Sequence, residues 1–213
     1  MRIVGGTAKG RRLQTPSKSS AGPRDSLLIR PTADRAREAL FSIIGKAVEG
    51  AAVLDLFAGT GALGLEALSR GAQSAVFVDK SSRSIDLIRK NVELCGFSEK
   101  AIIIKRDLAK SLSFLEKLLP GKEFSIVFID PPYRKTLCLK ILKELSSGNI
   151  LASSGIVVAE DDSGNELPES IGSLNMFDRR KYGDTGFWLY RANKSDHQKK
   201  SKKNSNEKGG CNG

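Results

Sequence analysis

The chain has a single histidine, His197, and it lies in a polar tail. That excludes most histidine-based acid–base chemistry and the common zinc sites. Cysteine is scarce as well: Cys95, Cys138 and Cys211 stand far apart, without metal-ligand spacing. They read as reduced thiols, with Cys95 and Cys138 as fillers in helical patterns. The sequence lacks a run of about 18 apolar residues and a signal-peptide pattern, so it predicts a soluble, cytoplasmic protein with no membrane partner.

Basic charge is abundant. In 213 residues, 35 are Lys or Arg against 24 Asp or Glu, a formal net charge of +11. The excess favours a polyanionic partner. It is concentrated at the two ends. Arg2, Lys9, Arg11, Arg12, Lys18, Arg24, Arg30, Arg35 and Arg37 face only Asp25 and Asp34 in the first 37 residues, and six lysines face two acids after Ala192. An apolar content of 39% suffices for one main domain. The division read from the sequence is a basic hairpin and arm (residues 1–30), a main domain (31–191) and a disordered basic tail (192–213).

Residues 125–133 read SIVFIDPPY. The apolar run has the pattern of a strand buried on both faces. Pro131 and Pro132 supply no backbone N–H and fix φ, so the chain must turn there. Open α/β sheets hold their ligands at such carboxyl ends. The turn offers the Asp130 carboxylate, rigid carbonyls and the Tyr133 ring. That set suits a planar base with an exocyclic amine: the acceptors hold the amine hydrogens and the ring stacks.

A second strand-to-turn unit lies upstream. Residues 52–57 (AVLDLF) run into residues 58–64 (AGTGALG), a G-x-G-x-x-G that by itself suggests a dinucleotide site. Asp55 opposes that, because a carboxylate before the loop repels a pyrophosphate and attracts an ammonium. S-adenosyl-L-methionine (AdoMet) carries an ammonium and a sulfonium and no phosphate. Gly59 and Gly61, with Phe57 and Thr60, then allow close approach of its methionine part. Asp79 ends the next strand (75–79) about 20 residues after Gly59, the spacing of an acid that binds ribose hydroxyls. Asp107 and Leu108 follow a third strand (101–105) and are the candidates for the adenine amine and ring.

The other elements follow from periodicity. Residues 2–4 and 11–14 predict a small hairpin, followed by a Ser/Gly/Pro-rich arm whose neighbours Arg11 and Arg12 suit phosphates. Thr32 is the expected N-cap of a helix with Ala36, Leu40, Ile43 and Ile44 on one face. Arg35, Arg37 and Glu38 are expected to point elsewhere, with Arg30 and Arg35 available to nucleic acid. Helices are expected over 82–94, 112–119 and 135–145, and a fifth strand over 156–160. Strands over 174–180 and 187–191 close the sheet as a hairpin with Trp188 and Tyr190 in its packing.

VLDLFAGTGALGLEALSRG (53–71), DPPY (130–133), RIVGG-x-x-KGR-x-L (2–13), RPT-x-DR-x-REALF (30–41) and KYGDT (181–185) together resemble the RsmD-type 16S rRNA guanine-N2 methyltransferases. The resemblance covers residues 1–191, and the two N-terminal motifs are its specific part. It implies a class I AdoMet-dependent methyltransferase (Rossmann-like) fold, with a mostly parallel seven-stranded sheet, an antiparallel C-terminal hairpin and a small N-terminal hairpin and helix extension. It further implies AdoMet as methyl donor and a guanine of 16S rRNA, in the 30S subunit or an assembly intermediate, as acceptor. A monomer is expected. Three rivals stand beside it. An adenine-N6 or cytosine-N4 methyltransferase also suits DPPY, and labelled AdoMet with mixed RNA and DNA separates the two. An NAD-type oxidoreductase lacks a relay histidine here. An RNA-binding assembly factor with an inactive site is separated by turnover.

Overall fold

Five apolar stretches rich in β-branched residues form the centre of the sheet. They are β1 (Ala52–Leu56), β2 (Ser74–Asp79), β3 (Ala101–Lys105), β4 (Phe124–Ile129) and β5 (Leu151–Asp162), all parallel. Helix α1 (Pro31–Ile44) precedes them; α2 (Ala62–Ser69), α3 (Ser82–Cys95), α4 (Ser113–Leu118) and α5 (Lys135–Ser147) connect them. Strands β6 (Ser170–Ile171), β7 (Leu174–Tyr182) and β8 (Thr185–Ala192) add an antiparallel end, giving the order β3-β2-β1-β4-β5-β8-β7-β6. This computed structural model describes residues 1–16, 31–132 and 135–193. Among them, no helix is long and apolar enough to cross a membrane.

Because strand side chains alternate, the sheet has two cores. Val53, Phe77, Phe128 and Val158 share one face with α1, α2, α3 and the N-terminal segment. Leu54, Val76, Val127 and Val157 share the other with α4 and α5. Helix α1 docks through Ala36, Leu40, Phe41 and Ile44, and the Phe41 ring lies 5.7 Å from that of Phe128. Each such Leu, Ile or Phe contributes about 1.5–3 kcal/mol by burial. Cys95 and Cys138 are buried free thiols, while Trp188 and Tyr190 are fully buried.

The expected class I sheet is present, with differences at its margins. Among the described residues it has eight strands instead of seven, because residues 170–171 pair with β7 at the edge. Strand β5 starts at Leu151, opposite Phe124, and a register shift precedes the pairing from Ile156 onward. Thr32 falls inside the first turn of α1; Pro31 takes the first helical position, which suits a fixed φ and a missing N–H. The N-terminal hairpin is present but short: Arg2 bridges Arg12, and Ile3 N–H donates to the Arg11 carbonyl, Gly10 N–H to the Ile3 carbonyl and Leu13 N–H to the Met1 carbonyl at 2.9–3.1 Å. The pairing stops at Val4, where Val4 and Gly5 N–H both turn to the Glu66 carboxylate at 2.8 Å. Arg37 is the clearest reversal: it is 5% exposed, not facing outward. It pairs with Asp34 at 2.9 Å and Glu66 at 3.6 Å and donates to the Arg2 carbonyl, the company a buried charge requires.

Candidate active site

Register places the acids in two rows. Asp55 lies opposite Phe77 and Phe128, and Phe128 opposite Val158, on the face of the first core. Two residues further along β2, β4 and β5 come Asp79, Asp130 and Glu160 on that same face. Asp55 is therefore one layer deeper than the other three. It is 2% exposed, whereas Asp130 is open to solvent and Glu160 half-buried.

The deeper acid holds the glycine turn. Asp55 Oδ2 accepts from Gly64 N–H at 2.9 Å. A Cβ on Gly64 would overlap the Phe77 ring and press on that oxygen, so the third glycine answers to helix–strand packing. Gly61, at φ 79°, begins α2 from a left-handed conformation that suits glycine. Phe57 adopts a left-handed φ of 61°, a strained state for an aromatic residue and one that collects at ligand sites. Burial is the main cause that raises Asp55 to about 8; Gly64 opposes it, and Asp130 and Asp79 add to it. Besides the role toward an ammonium expected from sequence, Asp55 supports the loop through Gly64.

Asp79 connects β2 to both loops. Its Oδ2 accepts from Gly59 N–H at 3.0 Å and its Oδ1 from Ser81 N–H at 2.8 Å. Each oxygen keeps a lone pair for a hydroxyl. The main chain of the turn is anchored by Ala58 N–H to the Val78 carbonyl at 3.1 Å. Asp107 is exposed, and its Oδ1 accepts from Ala109 N–H at 3.0 Å, leaving Oδ2 toward solvent. Leu108 is 1% exposed within the second core. Its side chain is therefore packed away from the surface, where the reading from sequence set it against an adenine ring.

Asp130 N–H still donates to the Leu56 carbonyl at 3.4 Å, so strand alignment persists one residue past β4 before Pro131 and Pro132 turn the chain. Pro131 is buried and Pro132 exposed. Tyr133 lies outside the described residues, as do Arg30 and the segment after Asn193. Surrounding protein raises Asp130 to about 7, with the Asp161 charge adding to the rise. Asp130 is also exposed, so water screens part of that effect. Glu160 is likewise raised, by burial first and then by Asp130, with Arg37 opposing. Among the described residues neither carboxylate has a side-chain hydrogen bond or an ion pair, and no group of acids, cysteines or histidines is arranged to hold a metal.

The structure thus gathers Asp55, Phe57, Gly59, Thr60, Gly61, Asp79 and Asp130 at one end of the sheet. Arg35 lines a cavity of about 450 Å³ with Arg2 and Lys9. Arg11 acts electrostatically on Cys95, at the end of α3 remote from the site. Three residues that sequence reading passed over matter. Glu160 was visible as an acid ending a strand. Asn91, fully buried, donates to the Thr60 carbonyl at 2.9 Å and the Gln14 carbonyl at 3.1 Å; its signal was a polar residue on the apolar face of α3. Glu66 was hidden in an ordinary helical pattern.

A family model described as Conserved hypothetical protein 95 matches residues 1–191. YlbH of Bacillus subtilis is 35% identical over 191 residues, covering 90% of this chain and 98% of that protein. Ribosomal RNA small subunit methyltransferase D of Escherichia coli is 32% identical over 190 residues, 89% of each chain. The solved structure of yhhF from Escherichia coli superposes with a TM-score of 0.76 at 31% identity, covering 92% of this chain and 99% of that one.

Proposed function

Because the chain belongs to the RsmD-type family, that of Conserved hypothetical protein 95, we propose that it transfers a methyl group from AdoMet to the exocyclic N2 of a guanine in 16S rRNA. The observation that carries this reading is the placement of Asp130-Pro131-Pro132 at the end of β4, one strand from the glycine turn that follows β1. A donor held on that turn and an amine held at Asp130 become neighbours.

The residues fit the donor. Acidic side chains without a described cation suit a sulfonium and an ammonium. Asp79 has lone pairs for ribose hydroxyls, and Asp107 Oδ2 is free for an adenine amine. When bound, AdoMet supplies an electrophilic methyl group on a positively charged sulfur. Asp130 and the Pro131 carbonyl accept from the two N2 hydrogens of a guanine flipped out of its stack, with Tyr133 placed by sequence to stack on it. With AdoMet bound, the amine nitrogen would take the methyl carbon as its bond to sulfur broke, and Asp130 would receive the proton that nitrogen loses. Positioning and fixed charge supply the rate. Lys9 and Arg35, in a cavity they share with Arg2, Asp34 and Glu38, together with the net positive charge of the chain, support contact with RNA phosphates, in a cytoplasmic 30S subunit or its assembly intermediate.

Small subunits from cells lacking this protein, incubated with the chain and labelled AdoMet, are expected to gain N2-methylguanine, read by mass mapping. Label on adenine N6, or on DNA in preference to the subunits, would overturn the reading.

A further inference from the structure

One carboxylate of the outer row has no part in this scheme. Parallel pairing of Phe128 with Val158 and Ile129 with Ala159 makes Asp130 and Glu160 the next neighbours across β4 and β5. Alternation directs both to the same face, and adjacent strands lie about 4.8 Å apart. Glu160 is half-buried and opens on the same end of the sheet. Its antiparallel partner on β8 is Phe187, 4% exposed, whose ring lies 6.1 Å from that of Tyr182. That partner gives the position an apolar wall on the side away from Asp130. Arg37 is the cation that bears on it, and Arg37 is already committed to Asp34 and Glu66.

The bases differ beside the reacting amine. Guanine presents N1–H next to N2, two donors side by side. Cytosine presents a bare N3 acceptor next to its N4 amine, and adenine a bare N1 next to its N6 amine. A second carboxylate beside Asp130 therefore matches guanine and meets the lone pair of either alternative with like polarity, a repulsive element of the kind that sets specificity. Resting on the guanine-N2 reading above, we propose that Glu160 is the specificity-determining residue of the pocket, accepting the guanine N1–H while Asp130 and the Pro131 carbonyl hold N2. No proton transfer at N1 is required. The two donors also stabilise two neighbouring carboxylates that otherwise disfavour each other's charge.

The test uses 30S particles carrying either guanine or 2-aminopurine at the mapped target nucleotide. 2-Aminopurine keeps the N2 amine but has a bare N1. Wild-type protein is expected to prefer guanine by about 100-fold or more in kcat/KM, as sites built for a polar group reject analogues lacking it. Glu160→Gln replaces an acceptor by an amide that can donate to N1. It is expected to lose most activity on guanine and to narrow the guanine to 2-aminopurine ratio at least tenfold, with AdoMet affinity unchanged. An unchanged ratio in Glu160→Gln overturns the proposal. So do equal rates of the wild-type protein on the two bases, a result that needs no variant to fold. Failure of the underlying reading looks different: wild-type protein would place no methyl on guanine N2 at all.

Discussion

Gly64 N–H points at Asp55 Oδ2 across 2.9 Å, so the first turn of α2 is tied to the strand beneath it by a carboxylate that solvent barely reaches. Two substitutions separate the partners. Gly64→Ala puts a methyl into the Phe77 ring and against Asp55, with an expected cost of about 1–3 kcal/mol. Asp55→Asn keeps an acceptor for Gly64 but no ionisable group. The folded-state pKa of Asp55 is raised to about 8, far above the ordinary carboxylate value. Its contribution to stability is therefore full below that ordinary value and is lost progressively as pH rises toward 8. Asp55→Asn should come nearest the wild-type protein at the acid end and gain on it steadily with rising pH, exceeding it at pH 8 by about 0.5–2 kcal/mol in urea unfolding, while binding AdoMet at least tenfold more weakly.

Asp130 carries a different pH signature. It must be ionised to accept amine hydrogens, and its pKa is raised to about 7. Because water screens part of that rise, the rate constant for transfer should fall as pH drops, with an inflection above the ordinary carboxylate range and no higher than about pH 7, and level off above it. Asp130→Ala is expected to reduce single-turnover transfer by about 100- to 10,000-fold. Calorimetry should find AdoMet affinity within a few fold of wild type, since Asp130 addresses the acceptor. Loss of AdoMet binding with the transfer rate would place Asp130 in the donor site instead.

The sheet was legible because each central strand is short, apolar and closed by a turn signal, and because glycines and prolines mark where the chain must bend. The acids ending β1, β2 and β4 were legible for the same reason. What sequence could not show was depth. Asp55 and Asp79 occupy equivalent-looking positions, yet register sets Asp55 one layer lower, where it supports Gly64. Arg37 was misjudged because helical periodicity alone cannot anticipate a buried partner 29 positions away at Glu66. The two-residue strand β6 is too short to leave a pattern.

Glu66 makes a stability prediction. Its side chain is fully buried and accepts from Val4 N–H, Gly5 N–H and Arg70 Nε, the last at 2.7 Å, with Arg37 Nε at 3.6 Å. Glu66→Ala removes the acceptor of Arg70 Nε and of two backbone donors and leaves Arg37 with Asp34 as its sole carboxylate among the described residues, with an expected cost of about 3–5 kcal/mol. Proteolysis should then cut first within the N-terminal segment. Glu66→Gln retains acceptors and should lose less.

Asn91 links the same segment to the donor turn. Its amide nitrogen donates to the Thr60 and Gln14 carbonyls and its oxygen accepts from Gln14 N–H at 2.7 Å. Asn91→Leu preserves volume on the apolar face of α3 but leaves those buried groups without partners, at about 1–3 kcal/mol. A purely structural role would end there. Because Thr60 lies between Gly59 and Gly61, loosening its carbonyl should also shift the turn that faces the donor. The expected kinetic result is a several-fold higher KM for AdoMet, measured well below the melting temperature, with kcat and the KM for 30S particles little changed. An unaltered KM for AdoMet in a destabilised Asn91→Leu protein would confine this residue to holding the fold.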